Sequence, residues 1–309
     1  MNNDMISLDH IALHVTSLEQ SIRFYQNILQ MEVFGPVNLG TLSASGRFVG
    51  KAVSGGQGLL KGIIKGISPR ALHDQYTDIA LLASSGSKYD ILLVQKRYPE
   101  TGMTKSVDGK TIFGFSCTLS QSINTEILAW DLAQAEATFQ WGDQNYDGTL
   151  FTEDNLIHSI YVQDPDGRVI ELKPGTEDTS QGSCITSIDS ITLHATYPEK
   201  SAQYYTKTHG FSITSDSKTT IPGKRFIWLT DSSGRRLILL YGLISPDGTP
   251  VQAGGYGLDH FALTGLSIKG EKHSIQTDVR MNPGNLIENS GSTYLQDSDG
   301  YWIENYPES

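Results

Sequence analysis

The sequence predicts an α+β protein made of four copies of a βαβββ module. Three observations support this fold class. A strand, an amphipathic helix and a second strand occur near the N-terminus and again after residue 187. An Asp/Gly turn that leads into a strand with a glutamate occurs twice. The first strand of the last copy repeats the first strand of the chain, including its Asp-His pair. Such internal repeats define the structural unit of a chain.

The first and third modules share their order of elements. Residues 7–15 alternate apolar and polar side chains, as a half-buried strand does. Ser17 is expected to cap the helix that follows. One face of this helix carries Leu18, Ile22, Tyr25, Ile28 and Leu29. In the third module a strand begins at Ser187, a helix at Glu199 and the next strand at His209.

The second and fourth modules are defined by their last turn and strand. Residues 164–171 (DPDGRVIE) match residues 297–304 (DSDGYWIE), and each is a tight turn before a strand. Residues 231–238 (DSSGRRLI) are a third version without the glutamate. Residues 257–263 (GLDHFAL) repeat LDHIAL of the first strand, and aligning Gly114 to Leu119 with them places Cys117 opposite His260.

These boundaries place the modules near residues 6–98, 110–174, 185–244 and 255–306. We predict an N-terminal domain at 1–174, with modules 1 and 2, and a C-terminal domain at 185–309, with modules 3 and 4. The polar segment 175–183 is the expected linker. Module 1 carries a glycine-rich insertion at about 36–76, which we expect to cover or gate a site.

The composition favours a small molecule as the partner. The net charge of −11 disfavours binding to nucleic acid or to an anionic membrane. No apolar stretch approaches the roughly 18 residues of a membrane span, and no secretory signal is visible. Two cysteines, Cys117 and Cys184, fit a reducing compartment. We therefore expect a cytoplasmic protein and leave homo-oligomerisation open.

The repeats resemble those of the vicinal oxygen chelate superfamily (glyoxalases, bleomycin resistance proteins and extradiol dioxygenases) over nearly the whole chain. The resemblance implies that paired modules form two open, cup-shaped mixed sheets that can hold a divalent metal. It also implies that the ligands come from the first and last strands of the paired modules. The first-strand positions are His10, Cys117, Ser190 and His260. The last-strand positions are Leu93 or Gln95, Glu171, the region of Leu239, and Glu304.

The pairing of the modules decides whether these positions can form a metal site. Pairing module 1 with 2, and 3 with 4, leaves each cup with a single histidine. Pairing module 1 with 4 brings together His10, His260 and Glu304, the facial triad of non-haem Fe(II) oxygenases. The other cup would then hold Cys117, Glu171 and Ser190 and lack a complete site. We predict this crossed pairing.

The crossed arrangement resembles the hydroquinone-type ring-cleaving dioxygenases, whose iron ligands come from the first and last modules. The resemblance implies a catalytic role for Tyr294, ten residues before Glu304. The sequence departs from that family in three places. Asp9 and Asp259 replace the first members of its His-His pairs, Ala12 replaces a threonine, and Ile287 replaces an arginine.

The sequence thus predicts a metal-dependent dioxygenase, with Fe(II) as the expected metal and O2 and a small aromatic or chelating oxygenated molecule as substrates. Two alternatives remain open. One is a glyoxalase-like isomerase or lyase using Mn(II), Zn(II) or Ni(II), which a fourth ligand such as Gln95 would favour. The other is a metal-free binding or resistance protein, which would lack the triad.

Several candidate residues have ordinary structural interpretations as well. Strand alternation places Asp9 and Asp259 on the face opposite the histidines, so solvent exposure is expected for both. Cys117 is expected to be a small buried apolar residue. Glu171 is interpreted as a residual or surface carboxylate. His14 and His194 either line the cups or have structural roles.

Overall fold

The computed structural model describes residues 6–38, 77–84, 89–96, 114–135, 137–141, 159–176, 184–217, 224–244, 247–250, 258–264 and 293–305. Nearly all of the glycine-rich insertion lies outside these ranges, as do His73, His158, His273 and Ile287.

The described elements follow the order of the predicted modules. Module 1 contains β1 (Ser7–His14), α1 (Leu18–Asn27), β2 (Glu32–Asn38), β3 (Thr77–Ala83) and β4 (Ile91–Lys96). Module 2 contains β5 (Gly114–Leu119), α2 (Thr125–Gln134), β6 (Phe139–Trp141), β7 (Ile160–Gln163) and β8 (Val169–Lys173). Module 3 contains β9 (Ile185–His194), α3 (Pro198–His209), β10 (Ser212–Ser217), β11 (Lys224–Thr230) and β12 (Arg236–Leu243). The described strands of module 4 are β13 (Leu258–Thr264), β14 (Thr293–Gln296) and β15 (Trp302–Asn305).

The helix ends have clear sequence causes. The Ser17 side chain accepts a hydrogen bond from the Gln20 amide and caps α1, as predicted. Asn124 caps α2 in the same way. Helix α3 begins at Pro198, whose missing N–H is not needed in the first turn. It ends at Gly210, which adopts the left-handed conformation with φ 74°.

The strands form two mixed sheets in which the modules pair crosswise. The seven-stranded sheet has the order β14-β15-β13-β1-β4-β3-β2 and joins module 1 with module 4. The eight-stranded sheet has the order β10-β11-β12-β9-β5-β8-β7-β6 and joins module 3 with module 2. The predicted α+β fold and the predicted crossed pairing are both confirmed. Each sheet therefore contains strands from both halves of the sequence, and a division into domains at 175–184 stays a prediction.

Buried apolar side chains from both sheets and all three described helices form one continuous cluster. Leu18 and Tyr25 on α1 and Leu29 just after it are members of this cluster, and Ile22 and Ile28 pack against it. The helices thus cover the sheet faces that carry Ile11 and Leu13 and leave the opposite faces for other contacts. No described helix is long and apolar enough to cross a membrane.

The repeated Asp/Gly turns join modules that are consecutive in sequence. Tyr25 on α1 donates a hydrogen bond to Asp164 in the module 2 turn at 3.1 Å. Tyr205 on α3 donates to Asp297 in the module 4 turn at 2.7 Å. Asp164 also accepts from the Arg168 guanidinium at 2.6 Å, whereas Tyr301 occupies the corresponding position in the second turn. Consecutive modules (1 with 2, and 3 with 4) therefore contact each other through turns and helices. Modules 1 and 4, and modules 2 and 3, contact each other through hydrogen bonds between β-strands.

The two turns provide a matched pair of stability variants. Tyr205→Phe should lower the free energy of unfolding by about 1–3 kcal/mol, because a buried carboxyl oxygen loses its phenol donor. Tyr25→Phe should cost less, since Arg168 still donates to Asp164. Urea denaturation of the two variants and the wild type would measure the difference. A larger loss for Tyr25→Phe would contradict this account.

Candidate metal centre

The backbone register brings the two histidines of the triad together. Strands β1 and β13 are antiparallel, with His10 opposite Ala262 and Ala12 opposite His260. The two histidines therefore occupy diagonal positions on one face of the ladder, where long side chains can meet. Strand β15 runs parallel to β13, with Glu304 in register with Ala262. All three side chains thus lie on neighbouring strands of one sheet.

The three side chains converge and are fully enclosed. His10 Nε2 lies 3.2 Å from His260 Nε2, and the two rings are nearly perpendicular. Glu304 Oε2 lies 3.6 Å from His10 Nε2 and 3.4 Å from His260 Nε2. The exposed fractions are 1%, 0% and 0% for His10, His260 and Glu304. The predicted convergence of these side chains is therefore observed.

These separations fit the ligand set of a first-row metal. Metal–ligand bonds of about 2.1 Å place two ligand atoms about 3.0 Å apart at a right angle and about 3.4 Å apart at a tetrahedral angle. The observed separations of 3.2, 3.4 and 3.6 Å are close to this range. Among the described residues, this is the one group of three or more His, Cys, Asp or Glu side chains that could hold a metal ion.

The environment of His10 favours the neutral imidazole that metals require. Burial lowers the pKa of His10 below its ordinary value, and the hydrogen bond with Asp9 opposes that effect. Asp9 Oδ2 lies 2.9 Å from His10 Nδ1. The expectation that Asp9 faces solvent was therefore wrong. The β1–β13 register shifts between Leu8 and His10, and this β-bulge breaks the alternation on which the expectation rested. The Asp259 side chain lies outside the described part of the chain.

Apolar residues surround the triad on the sheet. Ala12 is in register with Leu92 of β4, and Leu92 is opposite Leu81 of β3. All three are at most 1% exposed. The Tyr89 ring lies 4.9 Å from the His10 ring, between centroids, and is 7% exposed. Tyr89 belongs to no repeated motif, so no sequence pattern indicated its position beside His10.

The structure also resolves the register of β4. Leu92 is in register with Ala12 of β1, and Glu304 is in register with Ala262 of β13. Because the two alanines occupy the same position of the repeated first strand, Leu92 is the module 1 counterpart of Glu304. The candidates Leu93 and Gln95 were therefore wrong by one and three positions. Leu93 packs in the main core, and Gln95 Oε1 accepts a hydrogen bond from the Leu18 amide at the start of α1, at 2.6 Å. Gln95 thus does not supply a fourth ligand here.

Tyr294 is described through its backbone alone. It lies opposite Glu304 in the β14–β15 ladder. Tyr161 is the module 2 counterpart, since it lies opposite Glu171 in the β7–β8 ladder. The predicted catalytic role of Tyr294 stays a prediction, because its side chain is not among those described.

The second cup lacks both histidines. Ser190 occupies the position that His10 occupies in the first cup. Ser116 is in register with both Ser190 and Glu171, as Ala262 is with His10 and Glu304, so Ser116 is the counterpart of Ala262. Ser116 Oγ and Ser190 Oγ lie 2.7 Å apart. Glu171 is 6% exposed and accepts a hydrogen bond from Tyr161 Oη at 3.2 Å, so it is not a surface carboxylate. Burial raises the pKa of Glu171.

The register corrects the placement of Cys117. Gly114, not Cys117, is the counterpart of His260, because Phe115 and Ser116 align with Phe261 and Ala262 through their partners on the last strands. Cys117 is fully buried in the main core, as its structural interpretation predicted. His194 lies on the cup face with its ring centroid 6.1 Å from that of Tyr241. His14 is the module 1 counterpart of His194.

The backbone leaves no room for a histidine at position 114. A Cβ atom built on Gly114 would lie 2.4 Å from the carbonyl oxygen of Val169 on β8. The side chain of any other residue would force β5 and β8 apart at this point. The second cup therefore excludes a histidine at this position through its backbone as well as through its sequence.

This close approach gives a direct prediction. Gly114→Ala should lower the free energy of unfolding by about 1–3 kcal/mol, because overpacking against a backbone atom cannot be relieved by a side-chain rotation. Chemical denaturation of the variant and the wild type would measure the loss. Equal stability would contradict the close approach of Val169.

Comparisons with known proteins identify the fold. No family model matches the sequence, and no curated protein matches it. Glyoxalase I from Zea mays is 12% identical with a TM-score of 0.52, covering 97% of this chain and 92% of its own. A protein from Bacillus subtilis subsp. subtilis str. 168, provisionally named a dioxygenase, is 13% identical with a TM-score of 0.53, covering 99% of this chain and 86% of its own. The chain therefore has the fold of the vicinal oxygen chelate superfamily, as its repeats predict.

Proposed function

We propose that the protein is a metal-dependent enzyme, and specifically an Fe(II) dioxygenase that cleaves the ring of a small aromatic or related chelating substrate. The observation that carries this proposal is the buried set of two imidazole nitrogens and one carboxylate oxygen at mutual distances of 3.2–3.6 Å. Two histidines and one carboxylate on one side of a metal, with the other side open, are the ligand set of non-haem Fe(II) oxygenases.

Three residues of the first cup, the seven-stranded sheet, would hold such a metal and leave its other coordination positions for substrates. His10 and His260 would bind as neutral imidazoles and Glu304 as a carboxylate, so a divalent ion keeps one net positive charge. A bound Fe(II) would lower the pKa of a chelating substrate hydroxyl and bring the substrate and O2 together. The chain itself supplies the binding, orientation and exclusion of water.

The surroundings of the triad support an apolar substrate. Ala12, Ala262 and Leu92 provide short or apolar side chains beside the ligands, and all are buried. Small residues leave space for a flat ring, and apolar residues favour its transfer from water. Tyr89 presents its aromatic ring beside His10. We propose that Tyr89 lines the substrate site and that Tyr294, opposite Glu304 in the ladder, serves as the catalytic hydrogen-bond donor.

A glyoxalase-like isomerase remains the second candidate, because glyoxalase I has the same fold. That chemistry would be favoured by a fourth glutamate or glutamine ligand. The module 1 counterpart of Glu304 is Leu92, and Gln95 is engaged by α1. The described residues thus supply three ligands rather than four, which supports the oxygenase over the isomerase.

The ligand set predicts which variants lose metal. Glu304→Gln should abolish stoichiometric metal binding, because the carboxylate provides the charge that balances the ion. Glu171→Gln is the matched control, since Glu171 occupies the corresponding position in the cup without histidines, and it should retain full metal content. Elemental analysis of both proteins, purified without chelators, would test this. Equal metal content in the two variants would contradict the proposed site, provided that circular dichroism shows both folded.

The reaction predicts a second outcome. Protein loaded anaerobically with Fe(II) should consume O2 when supplied with a catechol or a hydroquinone, and a chelator should stop the uptake. Ala12 and Ile287 stand where hydroquinone-type ring-cleaving dioxygenases have a threonine and an arginine. We therefore expect weaker turnover of hydroquinone itself. An oxygen electrode would measure uptake across this set of phenols. No uptake by the iron form, with isomerisation of a hemithioacetal by the Zn(II) or Ni(II) form, would favour the isomerase.

A further inference from the structure

A β-bulge places Asp9 beside the ring of His10. In the β1–β13 ladder, Leu8 is opposite Leu263 and His10 is opposite Ala262, so Asp9 is the extra residue between two paired positions. An extra residue turns the local chain and redirects its side chain. The Asp9 carboxylate can therefore reach the imidazole ring of the next residue, His10.

The hydrogen bond between the two side chains determines which ring nitrogen carries the proton. Asp9 Oδ2 lies 2.9 Å from His10 Nδ1. An ionised carboxylate can only accept, so Nδ1 donates, and the lone pair of the neutral ring lies on Nε2. Nε2 is the atom that lies 3.2 Å from His260 Nε2 and 3.6 Å from Glu304 Oε2.

The same bulge recurs in the second cup, where it has other partners. The β5–β9 register shifts between Ser190 and Ile188, so Asp189 is the extra residue there. Its carboxylate accepts from Thr118 Oγ1 at 2.6 Å and from Ser187 Oγ at 2.7 Å, and lies 3.2 Å from Lys173 Nζ. The two side chains have similar exposure, 20% for Asp9 and 25% for Asp189. The bulge is thus common to both cups, and the imidazole partner is specific to the first.

We propose that Asp9 is a positioning residue of the metal centre: it holds His10 in the Nδ1–H tautomer and fixes the ring so that Nε2 faces His260 and Glu304. This inference rests on the proposed metal site and assigns a role to a residue outside the triad. Carboxylates that orient a metal-binding imidazole raise its basicity and commonly change metal affinity by about 10- to 100-fold. Asp9 does not contact the metal or the substrate in this assignment.

The first test uses the metal-free protein. Long-range ¹H–¹⁵N correlation spectra distinguish the two neutral tautomers of a histidine ring. In the wild type, the His10 ring should be protonated at Nδ1. In Asp9→Ala, the ring should populate the Nε2–H tautomer as well, whereas Asp189→Ala should leave the His10 spectrum unchanged. An unaltered Nδ1–H tautomer in Asp9→Ala would overturn the proposal, whatever the protein binds.

The second test measures metal affinity with Co(II) as the probe, by competition with a chromogenic chelator. Asp9→Ala should raise the Kd by about 10- to 100-fold. Asp9→Asn should raise it less, because the amide oxygen can still accept from Nδ1–H. Asp189→Ala and Asp189→Asn should leave the Kd within about twofold of the wild type. The d–d absorption of bound Co(II) should change in Asp9→Ala, since one imidazole is no longer held in place.

The outcomes separate this inference from the proposed function. A wild-type protein that binds no Co(II) would remove the metal site, and the tautomer measurement would still decide the role of Asp9. A wild type that binds Co(II), with an unchanged Kd in Asp9→Ala, would overturn the positioning role and leave the site intact. Equal weakening in the Asp189 variants would also overturn it, because the bulge rather than its imidazole partner would then matter. Asp9→Asn carries the test if Asp9→Ala does not fold.

Discussion

The antiparallel pairing of β1 with β13 is the contact on which the rest of the site depends. It joins the first module to the last across nearly the full length of the chain, and it places His10 and His260 on diagonal positions of one face. The side-chain period of a strand is two residues, so a slip of one residue would turn one histidine into the opposite face. Strand β15 pairs in parallel with the other edge of β13 and places Glu304 beside Ala262. Ligand convergence is thus a consequence of register.

The consecutive modules hold this register through a different set of contacts. The Asp164 turn binds α1 through Tyr25, and the Arg168 guanidinium donates to the backbone carbonyl of His14. The Asp297 turn binds α3 through Tyr205, and Tyr301 donates to the carbonyl of His194. Each turn precedes a last strand, β8 or β15, and contacts the end of the first strand of the other sheet, β1 or β9. The repeated DxDG sequence therefore links the two cups and fixes where each last strand begins.

The repeats made the fold and most of the site predictable from the sequence. Matching first strands and matching turns fixed the module count. The residue types at three repeated positions selected the crossed pairing, because one arrangement alone supplies two histidines and a carboxylate. The sequence failed where backbone irregularity decides the outcome. The bulge at Asp9 reversed the face expected from alternation, and the alignment of β5 was wrong because Gly114, which has no side chain to match, occupies the histidine position. Tyr89 reaches His10 from a segment without a repeated motif, so only spatial information reveals it.

Comparing the two cups shows how they differ in the described side chains that could bind a metal. Both keep a buried glutamate at the same register and an aspartate at the same bulge. In the first cup the glutamate is in register with Ala262, whose short side chain lies opposite His10. In the second, Ser116 and Ser190 bond to each other, and the oxygen of Val169 lies where a Cβ at position 114 would have to be. A histidine introduced at position 190 would therefore give two ligands with Glu171, one fewer than the three protein ligands of a typical catalytic zinc site. The β5–β8 backbone at Gly114 and the serine at position 190 thus both distinguish the second cup from the first.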